Sequence, residues 1–262
     1  MLGAIIGDIV GSRFERHNHK SKDFELFTDQ CRFTDDTAMT VAIAKALLEC
    51  NGDYTNLGNH AIRCMQEIGQ KYPNAGYGQI FYLWLHKKVP EPYWSYGNGS
   101  AMRVSPVAYA AKSEQECIEL ANAVTRVSHD HPEGIKGAEA AALATWGALY
   151  GAKKGMIRKR IEDQYYILGF TIDEIRPQYR FDSGCPGSVP QAIEAFLESE
   201  DFEDAIRIAV SLGGDSDTIA AIAGGIAGAY YGVPDDLWQK AASYLPQEFL
   251  DILEEFKQTY SN

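Results

Sequence analysis

Apolar residues recur at intervals of three and four positions along most of this chain, the spacing that places them on one face of an α-helix. No segment shows a convincing alternation of apolar and polar residues, which would indicate a half-buried strand. The pattern therefore predicts an all-α fold, a compact helical globule. The helical periodicity covers residues 36–49, 57–70, 114–128, 133–150, 189–199, 203–211, 217–231 and 246–258.

Local signals mark several helix starts. Ser113 followed by Glu116 is a capping-box signal, in which side chains bond the free backbone N–H groups at the start of a helix. Proline is favoured in the first turn because its missing N–H is not needed there. We therefore expect helices to begin near Pro132, Pro190 and Pro234.

Small residues are concentrated in two segments. Gly3, Gly7 and Gly11 lie four residues apart, and the run AAIAGGIAGAYYG extends over residues 220–232. Glycine costs a helix interior about 1 kcal/mol relative to alanine, so such a stripe needs compensation. Close backbone contact between two central helices would provide it. We expect these two helices to form the apolar centre.

The length and composition indicate one large domain. The chain has 262 residues, of which 45% are hydrophobic, enough to bury a sizeable core. No repeat, low-complexity tract or linker divides it, so we expect a single domain over residues 1–262. The excess of 36 acidic over 24 basic residues disfavours binding along a nucleic-acid backbone. It does not exclude one small anion bound by metal ions and helix N-termini.

Cysteine usage and the first apolar run bear on the compartment. The five cysteines are widely spaced without a CxxC pair, which suggests neither a disulfide framework nor a zinc ribbon. Asp8 interrupts the first apolar run well before the roughly 20 residues needed to span a bilayer. We expect a cytoplasmic protein without a membrane segment, and we favour a monomer.

Two motifs pair carboxylates with threonine just before an alanine-rich helix: FTDDT at residues 33–37 and GGDSDT at residues 213–218. Residues two apart point to nearly opposite sides of a helix. Asp215 and Asp217 can therefore converge on one ion only if the GGDSD stretch is a turn, which its glycines permit. Carboxylate and hydroxyl oxygens suit Mg²⁺ or Mn²⁺, and two facing clusters would hold two ions about 3.5 to 4 Å apart.

The residues alone leave other interpretations open. Asp, Ser and Thr are also preferred at helix N-caps, so each acidic motif by itself also fits a cap. His129 and His131 have a spacing found in zinc sites, but no further Cys or His ligand lies nearby in the sequence. The GNGS stretch at residues 97–100 is typical of a turn between helices.

Five blocks of the sequence, in this order, resemble the ADP-ribosylglycohydrolase family, which includes the dinitrogenase reductase-activating glycohydrolases. The resemblance runs from about residue 2 to about residue 240. It implies a compact all-α fold and hydrolysis of the bond that joins the distal ribose C1 of ADP-ribose to a protein side chain or small leaving group. The blocks are GAIIGDIVGSRFE, FTDDTAMTVAIAKAL, YGNGSAMRVSPVA, SHDHPEG and LGGDSDTIAAIAGGIAGAYYG.

The resemblance also implies a cofactor, two divalent cations that are Mg²⁺ or Mn²⁺. They would grip the distal ribose hydroxyls and hold a water, lowering the pKa of that water. Catalysis is expected to involve Asp36, Asp217 and Glu15, with Glu15 as proton shuttle or substrate contact; the alternative for Glu15 is an ordinary exposed acid at a helix end. The implied metal ligands are Thr34, Asp35, Asp36, Asp215, Asp217 and Thr218.

For the substrate, the resemblance implies a pyrophosphate-binding loop. The backbone of Gly97, Asn98 and Gly99 and the hydroxyl of Ser100 would meet the phosphates at a helix N-terminus. His131, which precedes a proline, is expected near the ADP-ribose as a hydrogen-bonding or stacking group.

The adenosine end of the pocket is less defined. Residues 183–190 replace a Gly-Tyr-Val stretch that many family members carry in a loop expected to border the adenosine. Tyr230 or Tyr231 could supply an aromatic surface, although their helical spacing fits a core role better. Arg103 fits either a phosphate ligand or a buried partner of an acidic group.

The resemblance leaves the acceptor open: arginine, serine, another linkage or a free ADP-ribose derivative. Two ions would also suit phosphoester or pyrophosphate hydrolysis, which is the first alternative. The second is a non-catalytic ADP-ribose-binding or structural protein, because relatives of the family include a lens crystallin. Retention of all the implied metal ligands argues against the second alternative.

Overall fold

A computed structural model describes residues 1–260, and the last two residues of the expected domain, 261 and 262, lie outside the described part. Within that range the chain forms α-helices and two short 3-10 helices at Tyr54–Asn56 and Asn98–Ser100, without a β-strand. The all-α prediction is confirmed. The helices are α1 Leu2–Gly11, α2 Asp35–Cys50, α3 Leu57–Lys71, α4 Gln79–Leu85, α5 Ser105–Ala110, α6 Glu114–Thr125, α7 Pro132–Leu149, α8 Lys154–Gln164, α9 Ile172–Ile175, α10 Cys185–Glu198, α11 Phe202–Ser211, α12 Ser216–Tyr231, α13 Asp235–Ala242 and α14 Gln247–Tyr260.

Each of the periodic segments corresponds to a helix, but one predicted start is wrong. Helix α10 begins at Cys185, so Pro190 lies inside the helix rather than at its start. Pro186 already occupies the first turn, where a proline costs little. The Ser188 hydroxyl donates to the carbonyl oxygen of Gly184 over 2.8 Å and supports this earlier start.

The other predicted starts agree with the structure. Pro132 is the first residue of α7, and Pro234 caps α13. The Ser113 hydroxyl accepts the backbone N–H of Glu116 over 3.1 Å at the start of α6. The Glu116 carboxylate accepts from the N–H of Lys112 rather than that of Ser113, so the box is displaced by one residue.

Helices α1 and α12 pack backbone to backbone at the centre of the molecule. A Cβ atom at Gly3 or Gly7 would lie 2.1 or 2.0 Å from a carbonyl oxygen of α12, and one at Gly11 would lie 2.6 Å from the Cα of Asp217. The glycine stripe therefore provides the close approach expected from the sequence. Because the helices run antiparallel, the end of α1 lies beside the start of α12.

The remaining helices enclose this pair. Helices α7, α10 and α11 pack on α12, and α2 packs on α1, α3 and α14. All five cysteines are buried and free. Between residues 1 and 260, no helix has both the length and the apolarity required to cross a membrane.

Candidate functional site

The starts of α2 and α12 meet at the end of α1, and together they line a cavity of about 640 Å³. This arrangement brings the two acidic motifs of the sequence to one place. Both helix N-termini carry the positive end of a helix dipole, which favours negative charge there. The cavity-lining residues include Thr34, Asp35, Asp36, Asp215, Asp217 and Thr218.

At the start of α2, Thr34 is both a helix cap and a cavity residue. Its hydroxyl oxygen accepts the backbone N–H of Asp36 over 3.3 Å. Asp35 and Asp36 occupy the first helical turn. The cap interpretation is therefore correct for Thr34, and it does not exclude a metal site, because the same oxygen keeps a further lone pair.

At the start of α12, two glycines form the turn that the acidic spacing requires. Gly213 and Gly214 both have a φ of +72°, a conformation that side-chain-bearing residues rarely adopt. Asp215 stands in the cap position but its side chain does not cap the helix. Its Oδ2 instead accepts the side-chain N–H of Asn98 over 2.7 Å. The turn leaves Asp215 and Asp217 on the same cavity wall.

Asp8, on α1, links the two motifs and was not among the predicted site residues. Its Oδ2 accepts the backbone N–H groups of Thr34 and Thr37 over 2.9 and 3.1 Å and also the Thr37 hydroxyl. Its Oδ1 accepts the Thr34 hydroxyl over 2.6 Å. The sequence did carry a signal: a carboxylate inside a small-residue apolar helix must be buried, and buried charges are paired or hydrogen-bonded.

The buried carboxylates crowd one another. Oxygen atoms of Asp8, Asp36 and Asp217 lie within 4.8 Å of one another. Burial, reinforced by neighbouring carboxylates, raises the pKa of Asp36 and Asp217 well above its usual range. The same causes raise the pKa of Asp35 to about 8, and burial raises that of Asp215 to about 6.

This donor set fits divalent cations. Asp36 Oδ1 is buried and has no hydrogen-bond partner among residues 1–260, and such an orphaned atom needs a compensating group. The hydroxyl of Thr218 donates to Asp36 Oδ2 over 3.0 Å, which leaves its lone pairs available. Oxygen-only ligation suits Mg²⁺ and Mn²⁺ rather than zinc.

Glu15 lies beside the acidic cluster. Helix α1 ends at Gly11, so Glu15 is in the turn that follows rather than at the helix end. It is partly buried and lines the cavity. Its charge helps to raise the pKa of Asp35 and Asp217, which indicates that the side chains are close.

The GNGS loop lines the cavity only in part. Gly97, Asn98 and Gly99 face it. Ser100 is fully buried and does not line it, because its hydroxyl donates to the carbonyl oxygens of Gly97 and Gly134 over 3.0 and 2.9 Å. The backbone N–H of Asn98 is likewise occupied, by a carbonyl 2.8 Å away. The expected phosphate contacts of the Ser100 hydroxyl and the Asn98 amide are therefore not available in this conformation.

The histidine that faces the cavity is His129 rather than His131. His131 caps α7, with its Nδ1 accepting the backbone N–H of Glu133 over 3.1 Å, and does not line the cavity. His129 is buried there, and burial, reinforced by the nearby Arg103, lowers its pKa well below 6.5. Sequence spacing cannot separate the two, because the cap position of His131 is decided by where α7 begins.

Arg103 is a structural cation at the cavity wall. It is fully buried, and its Nη2 donates to the Val124 carbonyl and the Ser128 hydroxyl over 2.9 and 2.8 Å. Its partners are therefore neutral oxygens, not an acidic group. Its positive charge adds to the effect of burial in lowering the pKa of His129.

Aromatic side chains also line the cavity. Tyr230 and Tyr231, considered from the sequence, instead pack against Phe196 and belong to the core. Residue 183 contributes to the wall. The aromatic lining consists of Tyr77, Phe81, Tyr93 and Phe181.

Comparison with known proteins connects this chain with one family and with named relatives. A sequence model of the family ADP-ribosylglycohydrolase matches residues 1–261. The chain is similar to ADP-ribosylhydrolase ARH3 of Homo sapiens, with 28% identity over 333 residues that cover 97% of this chain and 90% of that protein. It is also similar to ADP-ribosylarginine hydrolase Tri1 of Pseudomonas putida, with 27% identity over 293 residues that cover 96% of this chain and 76% of that protein.

The fold has a counterpart among solved structures. A chain of an ADP-ribosylglycohydrolase-related protein complex superposes with a TM-score of 0.69 and 23% sequence identity. The match covers 99% of this chain and 97% of that chain. At this identity the similarity concerns the fold.

Proposed function

Because this chain belongs to the ADP-ribosylglycohydrolase family, we propose that it hydrolyses the glycosidic bond at the distal ribose C1 of ADP-ribosylated side chains or small ADP-ribose conjugates, using two divalent cations. The observation that carries the proposal is the meeting of FTDDT and GGDSDT at one cavity, with the buried Oδ1 of Asp36 unpartnered among the described residues. The match to one family model over residues 1–261 supports a single domain.

Six side chains would hold the two ions, which are Mg²⁺ or Mn²⁺. Cations bound here would orient the ribose hydroxyls and make a water more acidic. The proposed ligands are Thr34, Asp35, Asp36, Asp215, Asp217 and Thr218.

The chain itself positions these groups before any substrate arrives. Asp8 fixes the start of α2 through Thr34 and Thr37, and Asn98 fixes one oxygen of Asp215. Preorganised polar groups need no rearrangement as charge develops on the sugar, and this lowers the barrier. Asp36 and Asp217 act on the reaction through the bound ions.

Glu15 is proposed to move the proton. It lies on the cavity wall next to the carboxylates, so it is in a position to take a proton from the attacking water or to give one to the leaving group.

The rest of the cavity is proposed to bind the nucleotide. A volume of about 640 Å³ falls within the range typical of small-molecule sites, about 300 to 1,000 Å³. Gly97 and Gly99 allow close approach of the pyrophosphate, and the aromatic lining offers faces for the adenine. His129, rather than His131, is the histidine that would contact the ligand, as a neutral imidazole.

A panel of substrates tests the proposal: ADP-ribosylarginine, ADP-ribosylserine and O-acetyl-ADP-ribose, each with Mg²⁺, Mn²⁺ or chelator. We expect free ADP-ribose from at least one substrate, only with metal. Asp217→Asn should lower kcat at least about 100-fold, because it removes charge from the proposed metal site. Asp201→Asn, which alters an exposed helix cap on α11, is the matched control. Metal-independent release, or full activity of Asp217→Asn, would contradict the proposal.

A further inference from the structure

A second cavity adjoins the acidic end of the first. It has a volume of about 360 Å³ and shares Glu15, Arg16 and Arg32 with the larger cavity. Arg13 and His17 complete its basic lining. Neither the GNGS loop nor the aromatic residues reach this second cavity. The second cavity therefore shares the Glu15 side of the first cavity but none of its nucleotide features.

Arg16 and Arg32 differ from every other arginine of the described chain. The remaining arginines each donate a side-chain hydrogen bond within the protein. For Arg16 and Arg32 the structure records no side-chain hydrogen bond and no ion pair with residues 1–260, and both side chains are exposed. The protein has more acidic than basic residues, 36 against 24. The two unpaired guanidinium groups nevertheless lie at one cavity, where together they can bind an anion.

We propose that this second cavity receives the acceptor side of the substrate and favours ADP-ribosylated protein segments that carry Asp or Glu beside the modified residue. The inference rests on the proposed function, because it takes the acidic cluster as the position of ribose C1. Glu15, Arg16 and Arg32 line both cavities, so a group that leaves C1 toward the second cavity meets the positive charge of Arg16 and Arg32. Carboxylates flanking the modified residue form charge-assisted, bidentate pairs with these guanidinium groups.

Matched peptides test this assignment. ADP-ribosylserine and ADP-ribosylarginine peptides are each prepared with Glu or with Gln on both sides of the modified residue. We expect wild type to show kcat/KM about fivefold higher for the Glu form, the size expected of two exposed charge pairs. In the double variant Arg16→Gln/Arg32→Gln, the ratio of kcat/KM for the Glu form to kcat/KM for the Gln form should be close to one. The control is Arg126→Gln, at an exposed arginine outside both cavities, which should keep the preference for the Glu form.

A binding measurement separates this proposal from the activity itself. Fluorescence anisotropy of the labelled peptides in chelator gives the ratio of dissociation constants without turnover, and raising the salt concentration should shrink that ratio. Absence of ADP-ribose release from all peptides would overturn the proposed function, while the anisotropy ratio still decides the acceptor preference. Equal binding of Glu and Gln forms by wild type, or an unchanged ratio in the double variant, would overturn the acceptor preference.

Discussion

At the residue scale, the carboxylate of Asp8 accepts hydrogen bonds from the backbone and the side chains of both Thr34 and Thr37. These contacts use both of its oxygens, whereas Asp36, with an oxygen within 4.8 Å, keeps one oxygen that has no partner among residues 1–260. Asp8 is therefore suited to positioning the start of α2, and Asp36 to binding a cation.

We predict that Asp8→Asn weakens binding of Mn²⁺ by about 10- to 100-fold, the effect typical of losing a group that orients a metal ligand. The amide cannot accept all of the hydrogen bonds that the carboxylate accepts. Calorimetric titration measures the change, and Asp53→Asn, an exposed cap of the first 3-10 helix, is the control. An unchanged dissociation constant would show that Asp8 has no part in the site.

His129 provides a prediction for pH dependence. Because burial lowers its folded-state pKa well below 6.5, the unfolded chain gains a proton below pH 6.5 while the folded chain does not. The contribution of His129 to stability is therefore present above pH 6.5 and is lost as the pH falls.

The difference in unfolding free energy between wild type and His129→Gln should shrink by about 1 kcal/mol from pH 6.5 to 5.5. Urea unfolding at each pH measures it, with His86→Gln, outside both cavities, as the matched control. A difference that stays constant with pH would mean that folding does not change the pKa of His129.

At the element scale, the packing of α1 on α12 was predictable because glycine leaves a strong sequence signal. Helices α4, α5, α8 and α9 were not predicted, and α13 was predicted only through its start near Pro234. Helix α8 buries only Ile157 and Ile161, too few apolar residues to give a recognisable period. The predicted start of α10 near Pro190 was also wrong, because a second proline, Pro186, precedes Pro190 and lies in the first turn.

Gly7→Ala tests the helix contact. The added Cβ would lie 2.0 Å from the carbonyl oxygen of Ala220, so α1 and α12 must move apart. We expect a loss of about 3 kcal/mol or more in unfolding free energy, at the upper end of overpacking effects. Gly155→Ala in α8 meets nothing within 4 Å and should be neutral or stabilising. Equal stability of the two variants in urea would contradict the backbone contact.

At the scale of the whole molecule, the sequence predicted the cavity position of the acidic motifs better than that of Ser100 and His131. FTDDT and GGDSDT carry their own turns and caps, so their residues reached the cavity as expected. The direction of Ser100 depends on its contact with Gly134 in α7, and the cap position of His131 depends on where α7 begins. Asp8 belonged to no motif, and it reaches the cluster through the packing of α1 against α2 and α12.

Cation binding should stabilise the whole molecule, because the proposed ligands come together only when α1, α2 and α12 are assembled. At 100 times the dissociation constant, a metal ion that binds only the folded state adds about 2.7 kcal/mol. We predict that Mn²⁺ raises the melting temperature, that chelator reverses the rise, and that Asp36→Asn abolishes it. An identical rise in Asp36→Asn would place the stabilising ion elsewhere.

The measurement that tests the central claim most directly is identification, by mass spectrometry, of the products formed from ADP-ribosylated peptides with Mn²⁺. Cleavage at the distal ribose C1 gives intact ADP-ribose and the unmodified peptide, with no product in chelator; this is the result we predict. AMP together with a peptide that retains ribose phosphate would show cleavage of the pyrophosphate instead and would contradict the assignment.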